Sequence, residues 1–520
     1  MFLWGGVLNK SNFLYGAFVL AIVNFIVRFI GFGYKIMLSK LIGPEGIGLF
    51  QMASPILMFF ITFTTAGVPI AVSKLVASQK ASGNNQGCKK VLKTALLLAF
   101  SMSSIFIAII VLFGQFICSR ILKNDDLYYL IIMLTPAIMI ISISAAIRGY
   151  FYGLKKVSPA GISQIIEQLS RIPFVIVTIH FFQPISPKYG AAIAIIGISV
   201  GEILGLLWLV LHYKLYSSSQ ARLSLKREVH ATFLSRILFI AAPITFSRLI
   251  GIIMQLANTV LIPQKLVEAG YTSKEAVSIL GKVMGMTMPI IFLPFIVTSA
   301  LIVNIIPNLS EGFERKSFGS IRANIELCIR LTLLMGIPLT TLFVLFSKPI
   351  ALTLYNDKQI ASYLSFLGLS TVFMSLQSTL AGILNGIGKQ VSATLNSFIG
   401  MCFQLFFTYS LVSNPSYGIN GFFIGFITSS IIICTLNFIT LSRVISLNVK
   451  ILDYIIKPVF ASIAGIFSTI FLYNLLLNST IRSFITLLIS LAIGGLVYLF
   501  ILFFTRALPA SLTKRLFNLK

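Results

Sequence analysis

The sequence predicts an all-α polytopic membrane protein, and three observations carry that prediction. Hydrophobic residues fill 57% of 520 positions while Asp, Glu, Lys and Arg together fill 10%. Mean hydropathy is +0.97, and the apolar residues come in windows of about 20, separated by short connections where charges, Pro and Gly cluster. No water-soluble domain of this length carries such a composition. The net charge of +27, from 40 Lys+Arg against 13 Asp+Glu, is one that nucleic-acid binders also show. Here the basic residues are scattered between apolar runs instead of clustering with aromatics. The positive-inside rule accounts for that placement, so nucleic acid is not an expected partner.

Cutting the chain at its charged and Gly/Pro-rich connections gives about fourteen spans. They fall near 13–38, 49–76, 94–117, 128–147, 161–182, 190–213, 233–262, 284–307, 325–346, 360–386, 391–413, 418–442, 452–476 and 483–505. Because a spanning-length helix follows Lys10, the first segment reads as retained and not as a cleaved signal. Assigning the loops to alternate sides tests the count. The N-terminus, the even-numbered connections and the C-terminus hold about 22 basic residues and the other loops about 10. The first group includes Lys80, Lys89, Lys90, Lys93, Lys155, Lys156, Arg222, Lys226, Arg227, Arg315, Lys316, Lys450, Lys514 and Arg515. This asymmetry predicts a multi-pass protein of the cell membrane with both termini in the cytoplasm.

Span 1 carries Asn24, Arg28, Gly31 and Lys35 at i, i+4, i+7 and i+11, one face of a helix. A cation at mid-span costs about 2.5 to 3.5 kcal/mol on insertion scales, so Arg28 and Lys35 need a watery cavity or a partner. A face of small, polar and cationic groups suits the wall of an aqueous pathway for an anion. The pattern recurs six spans later. Val27-Arg28-Phe29-Ile30-Gly31 returns as Ser247-Arg248-Leu249-Ile250-Gly251, and Pro55-Ile56-Leu57 as Pro289-Ile290-Ile291. Gly149 and Gly153 likewise return as Gly382 and Gly386. An even offset keeps both copies in one orientation, so the repeat is parallel. It predicts two six-helix lobes around a central cavity, 1–215 and 216–447, with a helix pair appended at 448–520. Through the repeat, Arg28, Gly31 and Lys35 align with Arg248, Gly251 and Gln255, and Lys74 ends span 2. The expected substrate-binding set is therefore Arg28, Lys35, Arg248, Lys74, Asn24 and Gln255, with snorkelling to an interface as the alternative for the cations.

The acids are fewer. Glu167 with Arg171, and Glu326 with Arg330, are i, i+4 pairs in the favourable order and read as self-neutralising. Glu202 has no partner on its own helix, which leaves it to answer a cavity arginine or to bind a coupling cation. Pro55, Pro69, Pro289, Pro294 and Pro307 interrupt spans 2 and 8, as bending gate helices would require. From Gln390 to Ser442 no charged residue occurs; an ionic site is not expected there, and a groove for lipid tails would fit. Cys88, Cys118, Cys328, Cys402 and Cys434 have neither paired nor metal-type spacing and read as free thiols. His180, His212 and His230 fall near span ends without a partner pattern. No cofactor, metal site or catalytic cluster is implied, and the identity of any coupling ion stays open.

Two runs carry a resemblance. Lys40-Leu41-Ile42-Gly43-Pro44-Glu45-Gly46-Ile47-Gly48-Leu49-Phe50-Gln51-Met52, followed by Gly67-Val68-Pro69-Ile70-Ala71-Val72-Ser73-Lys74-Leu75-Val76-Ala77, resembles the stage V sporulation protein B family. Arg148-Gly149-Tyr150-Phe151-Tyr152-Gly153, with Ser163-Gln164-Ile165-Ile166-Glu167-Gln168, is similar to the same family. That family sits among the lipid-linked oligosaccharide exporters of the multidrug/oligosaccharidyl-lipid/polysaccharide (MOP) superfamily, alongside MurJ-type lipid II flippases. The resemblance implies fourteen helices in two lobes around a V-shaped cavity and a role in spore cortex peptidoglycan. It also implies cavity arginines for a substrate pyrophosphate, with Arg28 the candidate. The expected partners are a lipid-linked saccharide bearing pyrophosphate, membrane lipid and the cell-wall synthesis machinery. Two rival readings remain: a cation-coupled multidrug antiporter, which needs cavity carboxylates that spans 1, 2, 7 and 8 lack, and a non-transporting scaffold for wall synthesis.

Overall fold

The computed structural model describes residues 4–218, 230–295, 298, 309, 318–447, 450–477 and 483–508. Among them every regular element is a helix and none is a strand, as lipid demands of a chain that must satisfy its backbone internally. Eleven helices are long and apolar enough to cross a membrane, or twelve if the pair Lys358–Gly368 and Thr371–Gly386, bent by 48°, counts as one span. The expected fourteen is not reached, for two local reasons. Spans 1 and 2 lie in one continuous helical run, and the later part of span 8, with Pro307, lies outside the described residues. So do Arg222, Lys226, Arg227, Arg315, Lys316, Lys514 and Arg515.

Helix α1 covers Trp4–Thr65, 62 residues. At 1.5 Å per residue that is about 93 Å, far beyond one bilayer, so the run must be broken. It breaks at Gly43, whose φ of 70° and ψ of 177° leave the helical region, a conformation glycine reaches without a Cβ penalty. After Ala66 and Gly67, α2 (Val68–Ala81) restarts with Pro69 in its first turn, where the missing N–H costs nothing. Then follow α3 (Asn85–Phe116), α4 (Leu127–Gly153), α5 (Val157–Phe181), α6 (Pro187–Ser218), α7 (His230–Glu268), α8 (Ser273–Leu280) and the short α9 (Met288–Ile291). The chain continues as α10 (Phe318–Leu345), α11 (Ser347–Tyr355), α12 (Lys358–Gly368), α13 (Thr371–Gly386), α14 (Gln390–Leu411), α15 (Ile419–Ser442), α16 (Lys457–Leu477) and α17 (Ser483–Phe504).

By packing, the chain forms two units, residues 1–264 with 272–281 and residues 265–271 with 282–520. Contacts thus group most of α7 with the first unit, whereas the sequence repeat opens its second copy with that helix. Inside the first unit, Val72 and Val76 of α2, Val91 and Ala95 of α3, Phe151 of α4, Leu209 of α6 and Phe233 of α7 make one core. In the second, Ile325 and Ile329 of α10 pack with Leu384 of α13 and Leu441 of α15.

Lipid removes much of the hydrophobic drive for helix association, so small residues and interhelical hydrogen bonds take over. A methyl group at Gly149 would stand 2.7 Å from Pro69 Cα, and one at Gly153 2.6 Å from the Ser73 carbonyl oxygen. The Gly149/Gly153 spacing is therefore the contact of α4 with α2. Buried bonds add specificity: Thr64 with Ser142 at 2.6 Å, Thr332 with Thr379 at 2.8 Å, and Asn396 Nδ2 donating to Asn437 at 3.0 Å. The last joins α14 to α15, the charge-free stretch, through neutral amides. The five cysteines are all free thiols.

Candidate functional site

On α1 the polar positions are open, as are Ile22, Phe25 and Phe29, and one strip beside them is packed. Asn24, Arg28 and Lys35 are exposed and Gly31 half-buried, whereas Val23, Tyr34 and Leu38 are buried. On α7, Arg248 and Gln255 are exposed, and Met254, Asn258 and Thr259 are buried. Lys74 on α2 is exposed as well. These positions share their exposure with apolar neighbours such as Phe29 on α1 and Ile253 on α7. Beside Arg248, a cavity of about 250 Å³ opens among α1, α2, α3 and α7, lined by Phe63, Val68, Leu98, Met102, Ala241 and Leu249. Its lining side chains carry no charge.

The acids of the first unit assemble elsewhere. Serine 163, Glu167, Arg171 and Val175 recur every four residues on α5 and lie along Gly205, Gly201 and Gly197 of α6. A Cβ at Gly205 would stand 3.1 Å from the Ser163 carbonyl oxygen, and one at Gly201 2.7 Å from that of Glu167. Without side chains on α6, α5 lies flat enough for its ionic groups to reach the next helix. Arg171 Nη2 donates to Glu167 Oε1 at 2.9 Å, the i, i+4 geometry. Arg148 Nη2, from α4, reaches Glu167 Oε2 at 3.3 Å and Glu202 Oε2 on α6 at 3.4 Å. Glu202 thus has an arginine, from just beyond the expected end of span 4. The apolar window stops at 147, yet α4 runs on to Gly153. An acid left alone on its helix was the available signal that a cation on a neighbouring helix was missing.

Glu326 and Arg330 do not form the expected pair. Glu326 Oε1 accepts from Arg322 Nε at 2.9 Å, one turn toward the N-terminus. Arg330 instead donates twice to the Ala507 carbonyl oxygen, at 3.1 and 2.6 Å, and its guanidinium lies 5.6 Å from the Tyr454 ring centre. Among the described residues no group of His, Cys, Asp or Glu is arranged to hold a metal ion.

Membrane-length helices in number, with exposed cations on two of them and a buried ionic cluster in the first unit, define a multi-pass membrane protein. The chain belongs to the polysaccharide biosynthesis protein family, whose model matches residues 13–313; a second model, MatE, matches residues 243–410. It is similar to stage V sporulation protein B of Bacillus subtilis (strain 168), 29% identical over 464 residues, covering 88% of this chain and 89% of that protein. It is also similar to the lipid II flippase MurJ of the same organism, 26% identical over 532 residues, 94% of this chain and 95% of that protein. Among solved structures, the fold matches lipid II flippase MurJ in an inward closed conformation, with a TM-score of 0.69 and 17% identity, over 94% of this chain and 99% of the other. It likewise matches an inward-facing MATE transporter of the MOP superfamily, with a TM-score of 0.66 and 16% identity, over 82% and 98%.

Proposed function

We propose that this chain is a flippase that carries an undecaprenyl-pyrophosphate-linked saccharide from the inner to the outer leaflet by alternating access, without enzymatic chemistry. The substrate would be a lipid II-type peptidoglycan precursor for spore cortex. One observation carries the reading: Arg28 and Arg248, at equivalent positions of the sequence repeat, are both exposed on membrane-length helices. A cation in that position is tolerated where water or an anion meets it. Arg28, Lys35 and Arg248, helped by Lys74, Asn24 and Gln255, would hold the pyrophosphate. The apolar cavity beside Leu249 would take part of the isoprenoid chain. The names of the relatives support the same cargo. In this reading the lobes 1–215 and 216–447 rock against each other, 448–520 is appended, and both termini lie in the cytoplasm. Outward movement of an anion across an inside-negative membrane is favoured by about 2.3 kcal/mol per charge per 100 mV.

The test is reconstitution. Purified protein in liposomes with labelled lipid II should deliver the label to the opposite leaflet. Arg28→Ala with Arg248→Ala should remove that transfer, and Arg28→Lys should keep part of it. Absence of protein-dependent transfer of any polyprenyl-pyrophosphate saccharide rejects the reading. The MatE match over 243–410 favours a second one, a cation-coupled multidrug antiporter. It predicts pH- or sodium-driven efflux of a cationic dye from the same liposomes, independent of Arg28.

A further inference from the structure

Two acids compete for one cation inside the first unit. Arg148 contacts both Glu167 and Glu202 through a single nitrogen, at 3.3 and 3.4 Å, and the two glutamate side chains are 10% and 6% exposed. These contacts are longer than the 2.7 to 2.9 Å of a well-formed charge-assisted bond. Only Glu167 has such a bond, to Arg171 at 2.9 Å. Both carboxyl groups therefore lie within reach of one nitrogen, which holds two acids close together in a buried place. Two bare carboxylates held in that way repel each other, and a proton on one of them relieves the repulsion. The two guanidinium groups at hand exclude a metal cation as the partner of this pair by the same electrostatics.

The groups that bond the pair are Arg148 from α4, which Tyr152 follows by one turn, and Arg171 and Gln168 from α5. Three buried polar atoms on the helices of the cluster lack a hydrogen-bond partner, Ser199 Oγ, Arg148 Nε and Arg171 Nε, as does the buried Tyr34 Oη of α1. Ser199 stands three residues before Glu202, on the same face of α6. Such atoms are the ones a proton-carrying water would bond.

We propose that Glu202, backed by Glu167, holds one exchangeable proton, and that its loss or gain tightens or loosens the bridge that Arg148 makes between α4 and α6. On release the proton passes from the Glu202 carboxyl to water, and the carboxylate left behind is taken up by Arg148. The four side chains then sum to zero charge; with the proton bound they sum to one positive charge. The inference names the coupling ion for the transport proposed above and rests on that reading only for its use, not for the existence of the site.

Infrared difference spectroscopy of the purified full-length protein, titrated across the pH range in which it stays folded, reads the proton directly. Wild type should show one protonated-carboxyl band that disappears as pH rises. Glu202→Gln should lose it, and Glu202→Asp should restore it at a shifted position. In parallel, lipid II transfer in liposomes should change about tenfold per pH unit on its limiting limb in wild type and be flat in Glu202→Gln. A folded wild type without the band, a band that survives Glu202→Gln, or a pH profile that this variant leaves unchanged overturns the proposal. If the band behaves as stated while no form of the protein moves lipid II, the proton site stands and the substrate reading falls.

Discussion

Gly201 of α6 lies under Arg171 of α5: a methyl group at position 201 would stand 3.3 Å from Arg171 Cβ and 2.7 Å from the Glu167 carbonyl oxygen. A backbone atom cannot swing aside as a side-chain tip can. Gly201→Ala should therefore push the two helices apart and cost about 1 to 3 kcal/mol, read as a lower melting temperature in detergent. Gly31→Ala, on the polar face of α1 with no atom within 4 Å, is the matched control. Equal melting temperatures for the two variants would refute the packing argument.

Removing Arg148 leaves Glu202 buried without its cation. Arg148→Met should destabilise the protein by about 3 to 5 kcal/mol, because the surviving charge keeps its desolvation cost and loses its partner. Adding Glu202→Gln to that variant should recover a large share. A double-mutant cycle on thermal denaturation gives the coupling, and additive losses would show that the contact at 3.4 Å carries little.

Two residues tie the last helix and the chain just after it to α10. Tyr498 donates its hydroxyl to the Leu334 carbonyl oxygen at 2.6 Å in a buried position, so Tyr498→Phe should cost about 1 kcal/mol. Arg330→Met should free the Ala507 carbonyl. Both variants should speed hydrogen exchange at the end of α17, and unchanged exchange there would contradict the assignment.

Asp357, in the loop before α12, offers a pH effect with a definite sign. Partial burial works to raise its pKa, and the Lys282 ammonium at 2.6 Å with the Gln359 backbone N–H at 2.7 Å outweighs it, holding the carboxyl below its usual range. A depressed folded-state value means the contribution to stability is full above the unfolded pKa and disappears as pH falls through the folded one. Stability attributable to Asp357, on the order of 1 kcal/mol, should thus be present at neutral pH and vanish below the ordinary carboxylate range. Lys282→Met should shrink this dependence, leaving the part that the Gln359 N–H supplies. A Lys282→Met variant that keeps the wild-type acid limb of a pH–melting curve would count against it.

The helices were legible because lipid imposes one strong rule on composition. Where an apolar window meets a charged loop, the reading located the element, and the polar face of α1 emerged from spacing alone. The misses have a common cause. A hydropathy window stops at the first charge and leaves Arg148 outside its span, while the hydrogen-bond ladder of α4 runs through it. Helical spacing offers Glu326 two arginines, Arg322 and Arg330. Contacts from far along the chain make the choice: Arg330 is claimed by the Ala507 carbonyl, 177 residues away. The connection between spans 1 and 2 was drawn as a loop because Gly-Pro punctuates most chains that way, whereas here a single left-handed residue does the work of one.

That residue has a mechanical meaning. A helix transmits twist through its unbroken ladder of bonds, and at Gly43 the ladder is interrupted. Beyond it, Gly48 and Gly281 lock the second stretch of α1 onto α8, with Gly281 meeting the Pro44 carbonyl. The stretch bearing Arg28 and Lys35 and the stretch beyond residue 43 are therefore two rods joined end to end, and a twist applied to the first is not carried by the ladder into the clasp of the second.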